Sequence, residues 1–112
     1  SLADYSIFLD DTLFTDAAFT ELKADGKVLL NTKRHIDDER VITLDGGRLA
    51  AEILRLPITN TIMLGALAAV YNGVSLGNIE EAIRQNMQKK LQEKNIEAVR
   101  AAAAAIGRRG DR

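Results

Sequence analysis

The sequence holds 112 residues, 46% of them apolar and 28% charged, with a formal net charge of −1. That mixture is globular and sized for one domain. It excludes a disordered chain, a basic nucleic-acid binder and, with three Phe, two Tyr and no Trp, a base-stacking platform. The lack of cysteine excludes disulfides, thiol nucleophiles and a cluster held by this chain's own thiolates, and the lone His35 makes no zinc site by itself.

Tyr5-Ser6-Ile7-Phe8-Leu9 is short, aromatic and β-branched, and it runs into Asp10-Asp11, so it reads as a strand. Thr15 or Asp16 then caps an expected helix with Ala17, Ala18 and Leu22 on one face and Gly26 as its stop. Lys27 to Asn31 is a second strand, whose unbroken apolar centre suits a sheet covered on both faces. His35 to Glu39 reads as a polar surface excursion, and Arg40 to Leu44 as a third strand. Asp45-Gly46-Gly47 is expected to turn the chain. A short helix with Leu49, Ile53 and Leu56 at spacings of four and three should follow, ended by Pro57.

The remainder reads as helical. Thr59 or Asn60 caps a helix to about Tyr71 that is apolar all round and must be covered on most sides, and Gly65-Ala66 in its middle lets another backbone come close. Its uncharged run, Ile62 to Tyr71, is well short of the roughly 18–20 residues that span a bilayer, so no membrane segment is expected. Ser75 caps the next helix, with Glu80 and Glu81 toward its positive end and Leu76, Ile79, Ala82, Ile83 and Met87 on one face. A polar joint over residues 88–93 leads to a last helix lined by Ile96, Val99, Ala103 and Ile106, with Gly107 as its stop and residues 108–112 as a frayed tail. The whole reads as an α/β fold: a three-layer, Rossmann-like partial parallel sheet with a helical C-terminal half. Three strands are few for so many helices. Further strands are expected to be missing or to come from another chain, and a chain that begins at Ser1 and enters a strand almost at once looks like a segment of a longer protein or one that carried a tag.

Candidate chemistry is sparse. Gly46 and Gly47 lie between a strand and a helix, where phosphate loops occur, but they lack G-x-G-x-x-G spacing, and a plain turn is the simpler reading. Asp10 and Asp11 stand at the C-terminal end of a strand, where open α/β sheets bind ligands; solvated turn residues look the same. His35 sits among Lys33, Arg34, Asp37 and Asp38 with no positioned partner. Asn60 and Asn95, each expected at a helix start, either cap the backbone or present an amide to a ligand or partner.

Four segments carry a resemblance. Asp4 to Asp10 looks like a D-x-x-x-x-x-D strand. Leu22 to Thr32 looks like L-K-x-x-G-x-x-x-x-N, with Leu22, Lys23, Gly26 and Asn31 in place. Asn60 to Leu67 looks like N-x-x-x-L-G-A-L, and Asn95 to Ala98 looks like N-x-x-A. In this order and spacing they resemble, from about Tyr5 to Ala104, the gamma subunit or gamma domain of the pyruvate and 2-oxoacid ferredoxin (flavodoxin) oxidoreductases. That family's glycine-rich strand–loop–helix and Arg-Gly-Gly motif are absent here and would lie upstream of Ser1, so the resemblance implies that residues 1–112 are a single domain corresponding to the C-terminal part of a longer gamma domain. The resemblance implies a cytoplasmic, multi-subunit enzyme that oxidatively decarboxylates a 2-oxoacid on thiamine diphosphate, makes an acyl-CoA and passes electrons through iron–sulfur clusters. It implies partners of the alpha, beta and delta subunit types, with these cofactors on other subunits and none on this chain. A homodimer is a further option, with no nucleic acid or membrane as partner. Asn60 is the residue it marks most; Gly46 and Gly47 are candidates from their place between strand and helix alone. The rival reading is an autonomous small α/β module that binds a nucleotide at Asp45-Gly46-Gly47 or docks another protein.

Overall fold

A computed structural model describes residues 2–110, without the side chains of 108–110. The chain divides between Asp45 and Gly46 into two compact units.

The first unit is a parallel three-stranded sheet in the order β1-β2-β3, formed by β1 (Ala3–Phe8), β2 (Leu22–Asn31) and β3 (Val41–Leu44). All three strands were expected. The helix between the first two was not formed as expected. Residues Asp11–Leu13 and Asp16–Glu21 make two short 3-10 turns, and the strand takes over at Leu22. Phe14, Ala18 and Leu22 keep a helical spacing of four, but Phe19 falls off that face and packs on the sheet cluster with Phe14. The two Phe rings instead join Phe8 in an edge-to-face series, with centroids 5.7 Å apart at each step. They pack on the cluster of Leu22, Val28, Leu30 and Val41, so aromatic side chains cover a sheet face that a helix would otherwise cover. The Arg40 guanidinium caps this series 3.7 Å above the Phe19 ring, and the Asp38 carboxylate grips it at 2.7 and 3.1 Å.

Gly26 is therefore not a helix stop. It lies inside β2, in an irregularity where Ala3 pairs with Leu22 but Tyr5 already pairs with Lys27. A Cβ there would stand 3.0 Å from the Ala3 carbonyl oxygen and 3.1 Å from that of Lys23. The glycine permits a close backbone approach within the strand.

The second unit is helical. It opens with α1 (Gly46–Leu49), which widens into a π turn over Ala50–Leu54 closed by an Arg55 N–H to Ala50 carbonyl bond of 2.8 Å. Two expectations change here. Gly46 and Gly47 begin a helix and do not turn the chain. The helix stops at Leu54, ahead of Leu56 and Pro57, because Arg55 enters the left-handed region at φ 58°.

Three longer helices follow, α2 (Asn60–Val70), α3 (Leu76–Asn86) and α4 (Lys89–Gly110). Gly65 acts as expected: a Cβ on it would lie 2.5 Å from the Val99 carbonyl oxygen and 2.7 Å from its Cα, so α2 and α4 cross there backbone against backbone. Ser75 also acts as expected, its Oγ accepting from the Asn78 N–H at 3.0 Å. The joint over 88–93 is mostly helix, since α4 begins at Lys89. Its polarity belongs to an exposed helical turn. Gln92 closes the junction by donating to the Met87 and Arg84 carbonyls at 2.9 and 3.1 Å. Gly107 does not end α4, which continues to Gly110; residues 111–112 of the expected tail lie outside the described residues. The buried side of α4 is Ala98, Val99, Ala102 and Ile106, which packs beside Ile79 and Ile83 of α3 at Val99.

Candidate functional site

The C-terminal ends of β1 and β2 gather Asp10, Asp11, Asn31 and Thr32. Asp10, just past β1, caps the following 3-10 turn by accepting from the N–H and hydroxyl of Thr12 at 3.0 and 2.8 Å. Those two bonds favour its charged form and lower its pKa. Asp11 turns the other way. It accepts from the hydroxyl of buried Thr32 and lies 3.6 Å from Arg34. Asn31, at the end of β2, donates to the Leu9 carbonyl at 3.1 Å. The two neighbouring carboxylates thus hold different partners and do not converge. Among the described residues no group of three or more His, Cys, Asp or Glu side chains could hold a metal ion. His35 is exposed in the loop that leads to β3.

In the second unit Gly46 is buried and Gly47 exposed, both in the first turn of α1. Asn60 is exposed. It is the first residue of α2, not its cap; that position belongs to Thr59, whose side chain makes no capping bond. Asn60 Oδ1 accepts from the adjacent Thr61 N–H at 2.9 Å, and no protein partner of its amide nitrogen is found among the described residues. Asn95 lies a turn and a half inside α4, where it donates to the Leu91 carbonyl at 2.9 Å. It does not stand at a helix head, because α4 starts earlier than its polar sequence indicates.

Two features were missed in the sequence. Beside Asn60, the residues Thr61, Leu64, Ile79, Ala82, Ile83 and Met87 line an apolar groove of about 220 Å³ between α2 and α3, and Leu64 is 44% exposed there. Helical spacing alone put Ala82 in the core, whereas it is exposed on the groove's edge. The second is Glu80, 8% exposed and the one buried charged side chain among the described residues. Its carboxylate takes Arg100 of α4 in a two-point grip at 2.6 and 3.1 Å and Arg84 at 3.4 Å. These bonds, Arg100 first, lower its pKa against the opposing effect of burial. The i,i+4 pair of Glu80 with Arg84 was visible in the sequence; the partner twenty residues on was not.

No described helix is long and apolar enough to cross a membrane. The chain resembles several known proteins. Pyruvate synthase subunit PorC of Methanothermobacter marburgensis is 40% identical over 102 residues, covering 88% of this chain and 58% of that protein. The common gamma subunit of the pyruvate/ketoisovalerate oxidoreductases of Pyrococcus furiosus is 36% identical over 109 residues, covering 88% of this chain and 59% of its own length. The chain thus spans somewhat under three-fifths of these relatives. The crystal structure of pyruvate oxidoreductase subunit PORC from Thermotoga maritima superposes with a TM-score of 0.82 at 27% identity, over 92% of this chain and 63% of that one. The family model for pyruvate ferredoxin/flavodoxin oxidoreductase matches residues 1–105, and the chain belongs to that family.

Proposed function

We propose that this chain works as part of a gamma-type subunit of a 2-oxoacid:acceptor oxidoreductase. Its task is assembly and packing around a thiamine-diphosphate, CoA-dependent decarboxylation site carried by other subunits. The observation that carries this reading is the family match across residues 1–105, in a fold shared with a PORC subunit. The local chemistry is in keeping with it. In the first unit Asp11 accepts from the Thr32 hydroxyl and Asn31 donates to the Leu9 carbonyl, and the chain has no cysteine to ligate a cluster. Among the described residues no group of three or more His, Cys, Asp or Glu side chains could hold a metal ion, and no step of the reaction is assigned to them.

The partners in this reading are subunits of the alpha, beta and delta types in a cytoplasmic complex. The apolar groove with exposed Leu64, next to the outward amide of Asn60, is the contact region on this chain. Asn60 then donates to a partner carbonyl or to a ligand held by a partner.

The test is purification of the native full-length protein, with mass spectrometry of what accompanies it and an assay of 2-oxoacid-dependent dye reduction. Thiamine- and cluster-bearing partners with that activity support the reading. A clean monomer without activity overturns it and favours the alternative, a small nucleotide-binding module at Gly46 and Gly47. That alternative predicts stabilisation by a nucleoside di- or triphosphate in a thermal melt.

A further inference from the structure

A second cleft lies on another side of α3, where it meets α4. It is open, about 540 Å³ in volume, and lined by Arg84, Lys89, Glu93, Ile96, Glu97 and Arg100, among others. This size is within the range of small-ligand sites. Its cations are arranged by a buried group. Arg84 and Arg100 both reach the same oxygen of Glu80, which is 8% exposed. One carboxylate therefore faces two guanidinium groups. Arg84 also lies 3.7 Å from Glu81, which is more than half exposed.

Each guanidinium has five N–H donors in a fixed plane. Glu80 engages Nε and Nη2 of Arg100 and only Nη2 of Arg84. Donors remain on both, and both side chains line the cleft with about half their surface exposed. Lys89 lines the same cleft and makes no ion pair among the described residues. Two carboxylates oppose this set. Glu97 is held by Lys94 at 3.7 Å, and Glu93 has no cationic partner among the described residues.

We propose that this cleft binds an oxoanion, a phosphoryl or carboxylate group, on the paired guanidinium groups of Arg84 and Arg100, with Lys89 as third cation. Glu80 is the positioning residue. It holds the arginines in one orientation, so that forked two-point binding costs less side-chain freedom. Glu93 limits the affinity by repulsion.

The full-length protein, isotopically labelled, is titrated with inorganic phosphate, acetate and chloride at matched ionic strength while the arginine Nε–H resonances are followed. Saturable shifts at Arg84 and Arg100 with phosphate or acetate, but not with chloride, are expected, and the tighter of the two names the ligand class. Arg84→Gln should weaken binding about fivefold, and Glu93→Gln should tighten it about threefold. Both positions are exposed, so neither change threatens the fold. Shifts that never saturate, that chloride reproduces, or that Arg84→Gln leaves unchanged overturn the proposal.

Discussion

The sheet unit and the helical unit solve the same problem, burial of apolar side chains, with opposite tolerances. Residues 2–45 surround a parallel ladder with large side chains. Leu22, Val28, Leu30 and Val41 form the centre, and three phenylalanines close over it. Residues 46–110 bring helices together through small ones. Gly65 meets the backbone of Val99, and Ala66, Ala98 and Ala102 are fully buried. The first arrangement is sensitive to removing atoms. The second is sensitive to adding them.

That contrast can be broken directly. The largest effect is expected for Leu30→Ala. Leu30 is fully buried, and the truncation should cost about 3 kcal/mol in a urea melt and speed amide exchange within residues 2–45. Gly65→Ala is the reverse experiment. One added methyl would meet Val99 at 2.5–2.9 Å, so about 2 kcal/mol should be lost, with faster exchange in α2 and α4. If Gly65→Ala is neutral, the helices have room to separate and the contrast fails.

Two smaller effects sharpen it. Ser75→Ala removes the bond to the Asn78 N–H and should cost about 1 kcal/mol, read as fraying at the start of α3. The sheet unit has its own polar anchor in Asp38, whose pKa the bonds from Arg40 lower from 3.8 to about 2. A depressed carboxyl stabilises the fold above its unfolded pKa, and that stability is lost as pH falls through the folded value. The stability gap between the native protein and Asp38→Asn should therefore be constant above pH 3.8 and close toward pH 2. Glu80, lowered chiefly by Arg100, titrates in the same sense, so Glu80→Gln should likewise flatten the acid side of the stability curve. A gap that persists unchanged at the acid end would remove either carboxylate from this account.

The sequence by itself determined β1, β3 and the second half of β2, because apolar and β-branched runs bounded by Asp, Gly and Asn leave little else for Tyr5–Leu9, Lys27–Asn31 and Arg40–Leu44. It also determined α2, α3 and the close approach at Gly65, since a glycine inside an apolar helix has few other uses. The family was legible too, in four short segments whose order counts for more than any one of them. Tertiary structure decided the rest. Gly26 looked like a helix stop because glycine has the same backbone freedom in a cap and in a strand irregularity; only the carbonyl of Ala3 distinguishes them. Asn60 and Asn95 looked like caps because an amide serves a helix end and a helix interior equally; where the helix begins is settled by packing over many residues. Glu80 looked like a residue placed for the helix dipole, and became a buried charge because Arg100 arrives from a distant turn of α4. Local signals act over a few residues. A buried ion pair and a backbone crossing depend on contacts between residues far apart in the chain, and these exist only once the helices have packed.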